Sequence, residues 1–197
     1  MAAYREVGDL AGEALIILGL GLLEQQKGEH QEARFHFEEA LALSRKIGRW
    51  RDEARCLMAL GYVELFEGAY ITAQSNFARA LAIFKETHSQ LGEVWALLGL
   101  GSVAYDMGED ALALTYLQQA LEISREIGHR YNQGDALYRL SVIFVRQRDY
   151  EMSQSYAQQA LTIAEEIEDE FLQLDFGQKE GMLAKPVCTD RLVKERR

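Results

Sequence analysis

Proline is almost missing from this chain: Pro186 is the only one among 197 residues. A proline inside a helix removes a hydrogen bond and clashes with the preceding turn, so its scarcity leaves nearly the whole length free to be helical. Cysteine is scarce as well. Cys56 and Cys188 form no disulfide framework and show no metal-ligand spacing, and Cys56 falls on an apolar helix face as a small core residue. Unpaired thiols suit a reducing compartment. Positive charge is outweighed, with 21 Lys and Arg against 31 Asp and Glu and a formal net charge of −10. Nucleic-acid binders draw affinity from neutralising phosphates, so this balance argues against a nucleic-acid partner and against an anionic membrane surface. Long apolar runs are lacking too. The stretch 14–23 covers about half of what a bilayer requires. The residues before it carry no net positive charge and no small-residue cleavage site follows, so it is not a targeting signal. Together these absences predict a cytoplasmic location and no membrane insertion.

What is present is globular and helical in character: 48% apolar residues, 26% charged residues, and an abundance of Ala, Leu, Glu and Gln. The sequence also repeats. Shifted by forty, it lands on itself without insertions. Gly21, Gly61 and Gly101 align, followed by Ser141; Gly28, Gly68 and Gly108 align, followed by Arg148. Ala33, Ala73, Ala113 and Ser153 form a third column, and Phe37, Phe77, Leu117 and Ala157 a fourth. Ala40, Ala80, Ala120 and Ala160 are each followed by leucine. Within the second unit, Leu57, Leu60, Gly61 and Val63 have helical spacing and predict a helix from about Asp52 to Phe66. Gly68 ends it, and a second helix follows from about Tyr70 to Lys85. The turn is short, so the two helices pack antiparallel. One such pair cannot bury its own apolar faces; stacked neighbours must do so.

The run Leu60-Gly61, Gly68, Ala73, Phe77 and Ala80-Leu81 resembles the tetratricopeptide repeat, over roughly residues 9–168. The usual period of that family is 34. The forty-residue spacing is similar to the long-helix variant of kinesin light chains, Pins-type polarity scaffolds and the sensor arrays of bacterial STAND-class regulators. The resemblance implies an all-α solenoid of antiparallel helix pairs with a concave groove lined by the first helix of each unit. One array is expected over residues 1–184: a partial helix at 1–7, repeats at about 9–48, 49–88, 89–128 and 129–168, and a capping helix at about 170–184. Residues 185–197 are expected to be a loose, slightly basic tail.

Carried over position by position, the groove comprises Leu15, Leu18, Leu22, Gln25 and Gln26, and then Arg55, Met58, Tyr62, Leu65 and Phe66. It continues with Trp95, Leu98, Ser102, Tyr105 and Asp106, and with Asp135, Tyr138, Val142, Val145 and Arg146. This surface is apolar and aromatic. Tyr62, Phe66, Trp95, Tyr105 and Tyr138 are its candidate anchors, and Arg55, Asp106, Asp135 and Arg146 its candidate register-setting charges. The carboxylate clamp of Hsp70 and Hsp90 co-chaperones is absent. Its lysine places hold Leu18, Met58, Leu98 and Tyr138, and its asparagine places hold Leu22, Tyr62, Ser102 and Val142. A protein or peptide segment of apolar or amphipathic character fits better.

The first helix is unusual, with apolar side chains all the way round, a pattern normal for a buried helix. Leu15, Ile16, Leu20 and Leu23 are therefore candidates for self-association into a homo-oligomer. The chain also begins inside a repeat, which predicts an excised piece of a longer array.

No catalytic signature emerges. Gly19-Leu20-Gly21 and Gly99-Leu100-Gly101 lack the third glycine and the strand of a dinucleotide fingerprint. His36 and Glu39 stand one helical turn apart, too few ligands for a metal, and are expected on a solvated face. No cofactor, metal or enzymatic activity is expected. The chain reads as a protein- or peptide-binding scaffold. The alternatives are a sensor fragment of a larger signalling or transcriptional regulator, or a self-assembling structural array.

Overall fold

The computed structural model describes residues 9–167. Among them eight helices follow one another and no strand occurs: α1 (Leu10–Lys27), α2 (His30–Lys46), α3 (Trp50–Phe66), α4 (Tyr70–Glu86), α5 (Gln90–Asp106), α6 (Asp110–Glu126), α7 (Arg130–Arg146) and α8 (Tyr150–Glu166). The expected partial helix at 1–7, capping helix at about 170–184 and tail at 185–197 lie outside the described residues, as does Cys188. In the second repeat the first helix starts at Trp50, earlier than its apolar pattern indicates, and the second runs one residue further, to Glu86.

The helices stop on a twenty-residue beat, half the sequence period. A left-handed residue ends each helix from α1 to α7, at positions 28, 48, 68, 88, 108, 128 and 148. Glycine fills five of these places; His88 (φ 53°) and Arg148 (φ 62°) take the same conformation with a side chain attached. The next amide then reaches back to the carbonyl five residues earlier, as in Glu29 N–H to Glu24 O (2.9 Å), Ala69 N–H to Glu64 O (2.8 Å) and Asp149 N–H to Phe144 O (2.9 Å). This is a Schellman closure, and it satisfies carbonyls that the helix end leaves open. Three helix starts are capped by a side chain: Asp9 on α1, His129 on α7 and Asp149 on α8.

The helices group into two compact units, one up to Met107 and one from Gly108. The boundary falls at the turn inside the third repeat. In the first unit each helix packs on the next, from α1 to α5, and the first helices of successive repeats also touch: α1 on α3 and α3 on α5. In the second unit α6 packs on α7 and α7 on α8. The repeating columns form the cores. Phe37, Phe77 and Leu117 are completely or almost completely buried, as are the alanines at 33, 73, 113, 40, 80, 120 and 160. Burying one such phenylalanine contributes about 1.5–3 kcal/mol. The small neighbours let two helix backbones approach closely enough to enclose it.

Candidate binding groove

The forty-residue shift places Leu18, Met58 and Leu98 at one helical position, Leu22, Tyr62 and Ser102 at a second, and Leu15, Arg55 and Trp95 at a third. Because α1, α3 and α5 adjoin in the first unit, side chains of these columns converge. Leu18, Leu22 and Gln25 of α1, Arg55, Met58, Ala59 and Tyr62 of α3, Phe84 of α4 and Trp95 of α5 line one open cavity of about 270 Å³. Its floor is fixed. Leu18 and Met58 are buried, and the Tyr62 ring stands edge-on against the core ring of Phe77, with centroids 5.0 Å apart. Its walls are accessible: Tyr62 is 36% exposed, Trp95 40% and Leu22 41%. The one charged group in the lining is Arg55. Its guanidinium lies 3.7 Å from Asp52, whose other carboxylate oxygen pairs with Arg49 at 2.5 Å.

Two lining residues escape the sequence reading of the groove, Ala59 and Phe84. Phe84 belongs to a second helix, at the place where the other repeats carry Ser44, Ser124 and Ala164. Its ring occupies the space that a side chain at position 92 would need, and position 92 is glycine, as position 12 is, where the second and fourth repeats have Asp52 and Asn132. That compensating large-for-small exchange was visible in the columns.

The other expected groove residues are not gathered at this cavity. Leu98 is buried like Leu18 and Met58 at the same helical position but does not line the cavity. Phe66 sits at the far end of α3, highly exposed, with its ring 4.1 Å from that of His30. Tyr105 and Asp106 occupy the last turn of α5, half-buried and exposed respectively. In the second unit Tyr138 is half-buried, Asp135 accepts from Arg139 Nε at 2.8 Å, and Arg146 pairs with Asp110. With Arg55 beside Asp52, three of the charges expected to face a ligand already have intramolecular partners. On α1, Leu15 and Leu23 are exposed while Ile16 and Leu20 are half-buried.

The position three residues after the repeat glycine meets the second helix of its own repeat in three different chemistries. Glu24 holds His36 Nδ1 at 2.6 Å; Glu64 accepts from Asn76 Nδ2 at 2.8 Å; Phe144 stacks on Tyr156 with centroids 5.4 Å apart. His36 is thus half-buried and paired, not on the solvated face that its spacing from Glu39 suggests. Burial pushes the Glu64 carboxyl above its usual range, against the lowering effects of the Asn76 hydrogen bond and of Arg34 at 3.9 Å. Cys56 is fully buried, and burial pushes its thiol up to about 11, so it is not a thiolate at neutral pH. Among the described residues no three His, Cys, Asp or Glu are placed to share a metal ion, and no helix is long and apolar enough to cross a membrane.

Comparison with known proteins bears on the fold. No curated protein matches. Among solved structures, the apo form of RapI superposes with a TM-score of 0.79 at 19% identity, over 92% of this chain and 69% of that one. The Rap conjugation gene regulator of plasmid pLS20, solved in complex with the Phr* peptide, gives 0.71 at 19% identity over 82% of this chain; the chain spans 45% of its length. A STAND protein with a tetratricopeptide repeat sensor from Pyrococcus horikoshii gives 0.72 at 16% identity over 83% of this chain, which spans 25% of it. At such identities the likeness is one of architecture, helix pair stacked on helix pair. The tetratricopeptide repeat model matches residues 13–86 and 92–166, most of the chain, and the chain belongs to that family.

Proposed function

We propose that the first unit binds a protein or peptide segment of apolar or amphipathic character in the groove formed by α1, α3 and α5. The observation that carries this reading is the convergence of Leu22, Tyr62 and Trp95, each more than a third exposed, on one cavity with a buried floor. Exposed aromatic and aliphatic groups gathered around a concavity mark interaction sites, and Trp, Tyr and Arg are the usual anchors. The cavity has room for one or two apolar side chains. Arg55 at its edge favours a partner with an acidic or polar group beside the anchor. The peptide-bound Rap regulator supports the reading as a relative in fold. The activity is binding, without catalysis, and a cytoplasmic location belongs to the same proposal because Cys56 is free and buried.

A peptide library displayed on phage and panned against the full chain supplies probes, and calorimetry measures them. Trp95→Ala is expected to weaken selected peptides by tenfold or more, since truncating an anchor costs about 2 kcal/mol or more. Selected peptides that bind Trp95→Ala and Tyr62→Ala as tightly as the parent would move the site elsewhere.

A second reading is that the chain is the sensing part of a longer regulator. The STAND protein with a repeat sensor favours it, since this chain spans a quarter of that protein. Under that reading the same groove receives the signal. Sequencing the surrounding gene for an adjoining ATPase or DNA-binding region decides it.

A further inference from the structure

The repeat register provides an internal comparison that singles out a second site, away from the groove. In the first unit, where α2, α3 and α4 adjoin, Glu53 is held by two arginines: Arg45 Nε donates to its Oε1 at 2.8 Å and Arg79 lies 3.9 Å from the same oxygen. The next repeat again carries a carboxylate at this position, Glu93. Eighty residues after Glu53 the position holds Gln133, which is neutral. The arginine of α2 persists there as Arg125, and Trp50 is replaced by a further cation, Arg130. The second unit therefore keeps two guanidinium groups beside a neutral amide, that of Gln133.

The structure shows an opening at that place. Arg125, Arg130, Gln133, Gln159, Leu137 and Ile163 surround a cavity of about 250 Å³ where α6, α7 and α8 adjoin. Gln133 is 5% exposed and fixed by two hydrogen bonds: its Nε2 donates to the Ser124 carbonyl at 2.9 Å, and its Oε1 accepts from Arg130 Nη1 at 2.9 Å. Glu166, half-exposed and outside the lining, also pairs with Arg130. Among the described residues no carboxylate pairs with Arg125. Leu137 and Ile163 make an apolar floor, which strengthens an ionic contact made above it.

We propose that this cavity binds, beside the Gln133 amide, a carboxylate supplied from outside the chain and held by Arg125 and Arg130. Guanidinium groups suit this task because their planar donor forks match carboxylate geometry. The carboxylate could belong to an acidic side chain of a bound protein or to a small dicarboxylic acid, and the two sources are separable by experiment.

The test uses the full chain labelled with nitrogen-15 and follows the side-chain amides of Gln133 and Gln159. Probes are N-acetylglutamate N-methylamide, its glutamine counterpart and succinate, each at millimolar concentration. Capped glutamate or succinate is expected to shift both amides saturably, and capped glutamine is not. Tighter binding of capped glutamate than of succinate identifies a protein side chain; the reverse order identifies a small acid. Arg125→Gln, at an exposed position, leaves the fold intact and is expected to weaken binding at least tenfold. Gln133→Glu restores the internal carboxylate of the earlier repeats and is expected to abolish binding. Equal shifts from capped glutamine, or unchanged affinity in Arg125→Gln, would overturn the proposal.

Discussion

The ring of Phe77 on α4 fills the space between two glycines, Gly61 on α3 and Gly99 on α5. A methyl group at either glycine would lie 2.7 Å from a ring carbon, well inside contact distance. Alanine in place of a mid-helix glycine ordinarily gains about 0.5–1 kcal/mol. Here overpacking, which costs about 1–3 kcal/mol, is the larger effect. Gly61→Ala and Gly99→Ala are therefore expected to destabilise the protein. Gly19→Ala provides the control, because nothing lies within 4 Å of its added methyl, and it is expected to stabilise by about 0.5–1 kcal/mol. Urea denaturation of the three variants checks the opposite signs.

The two side-chain-bearing residues in left-handed conformation give a second prediction. Non-glycine residues in that region cost about 1–2 kcal/mol, and glycine gives part of this back through its greater freedom when unfolded. His88→Gly and Arg148→Gly are each expected to raise stability by about 0.5–1 kcal/mol. Thermal melts measure it. A fall in melting temperature for both would mean that these side chains make contacts worth more than the strain.

Glu64 sets a pH dependence. Burial raises its carboxyl in the folded protein, so the folded state holds this proton to higher pH than the unfolded chain does. Stability from this group is greatest when both states are protonated. It declines as pH rises through the ordinary carboxylate range toward the raised folded value. Glu64→Gln keeps an acceptor for Asn76 without the charge. Its advantage over the parent is expected to be absent in acid and to grow toward neutral pH. Urea midpoints at a series of pH values measure this, and a difference that does not vary with pH would contradict it.

Leu15 and Leu23 remain exposed on α1, with Ile16 and Leu20 half-buried beside them. If this face joins two copies, mass by light scattering rises with concentration, and Leu15→Glu with Leu23→Glu returns it to the monomer value. A parent chain that stays monomeric across the series removes the self-association reading.

The helix pairs were legible because their cause is periodic: Gly21 and Gly61, Phe37 and Phe77, and the paired alanines recur at one spacing and meet at one contact. Leu18, Met58, Tyr62 and Trp95 could be placed near one another for the same reason. The residues away from the cavity show where a column stops being informative. Leu98 shares its column with Leu18 and Met58 and is buried as they are, yet it does not line the cavity. His36 looked like a surface residue because its partner, Glu24, lies on the preceding helix, and one-helix spacing carries no signal about another helix. Phe84 entered the cavity through an exchange with Gly92 that only a comparison of two columns reveals. The twenty-residue beat of the turns was masked because His88 and Arg148 interrupt the glycines.

The location of the bound segment is tested most directly by the fluorescence of Trp95. Trp50 and Trp95 are the only two tryptophans, and Trp50 lies outside the cavity lining. In a Trp50→Phe chain, a panned peptide that seats on the groove is expected to shift Trp95 emission to the blue and to reduce its quenching by acrylamide, with a midpoint matching that from calorimetry. A peptide that binds by calorimetry but leaves Trp95 emission and quenching unchanged would contradict the account, because the partner would then sit on a different face.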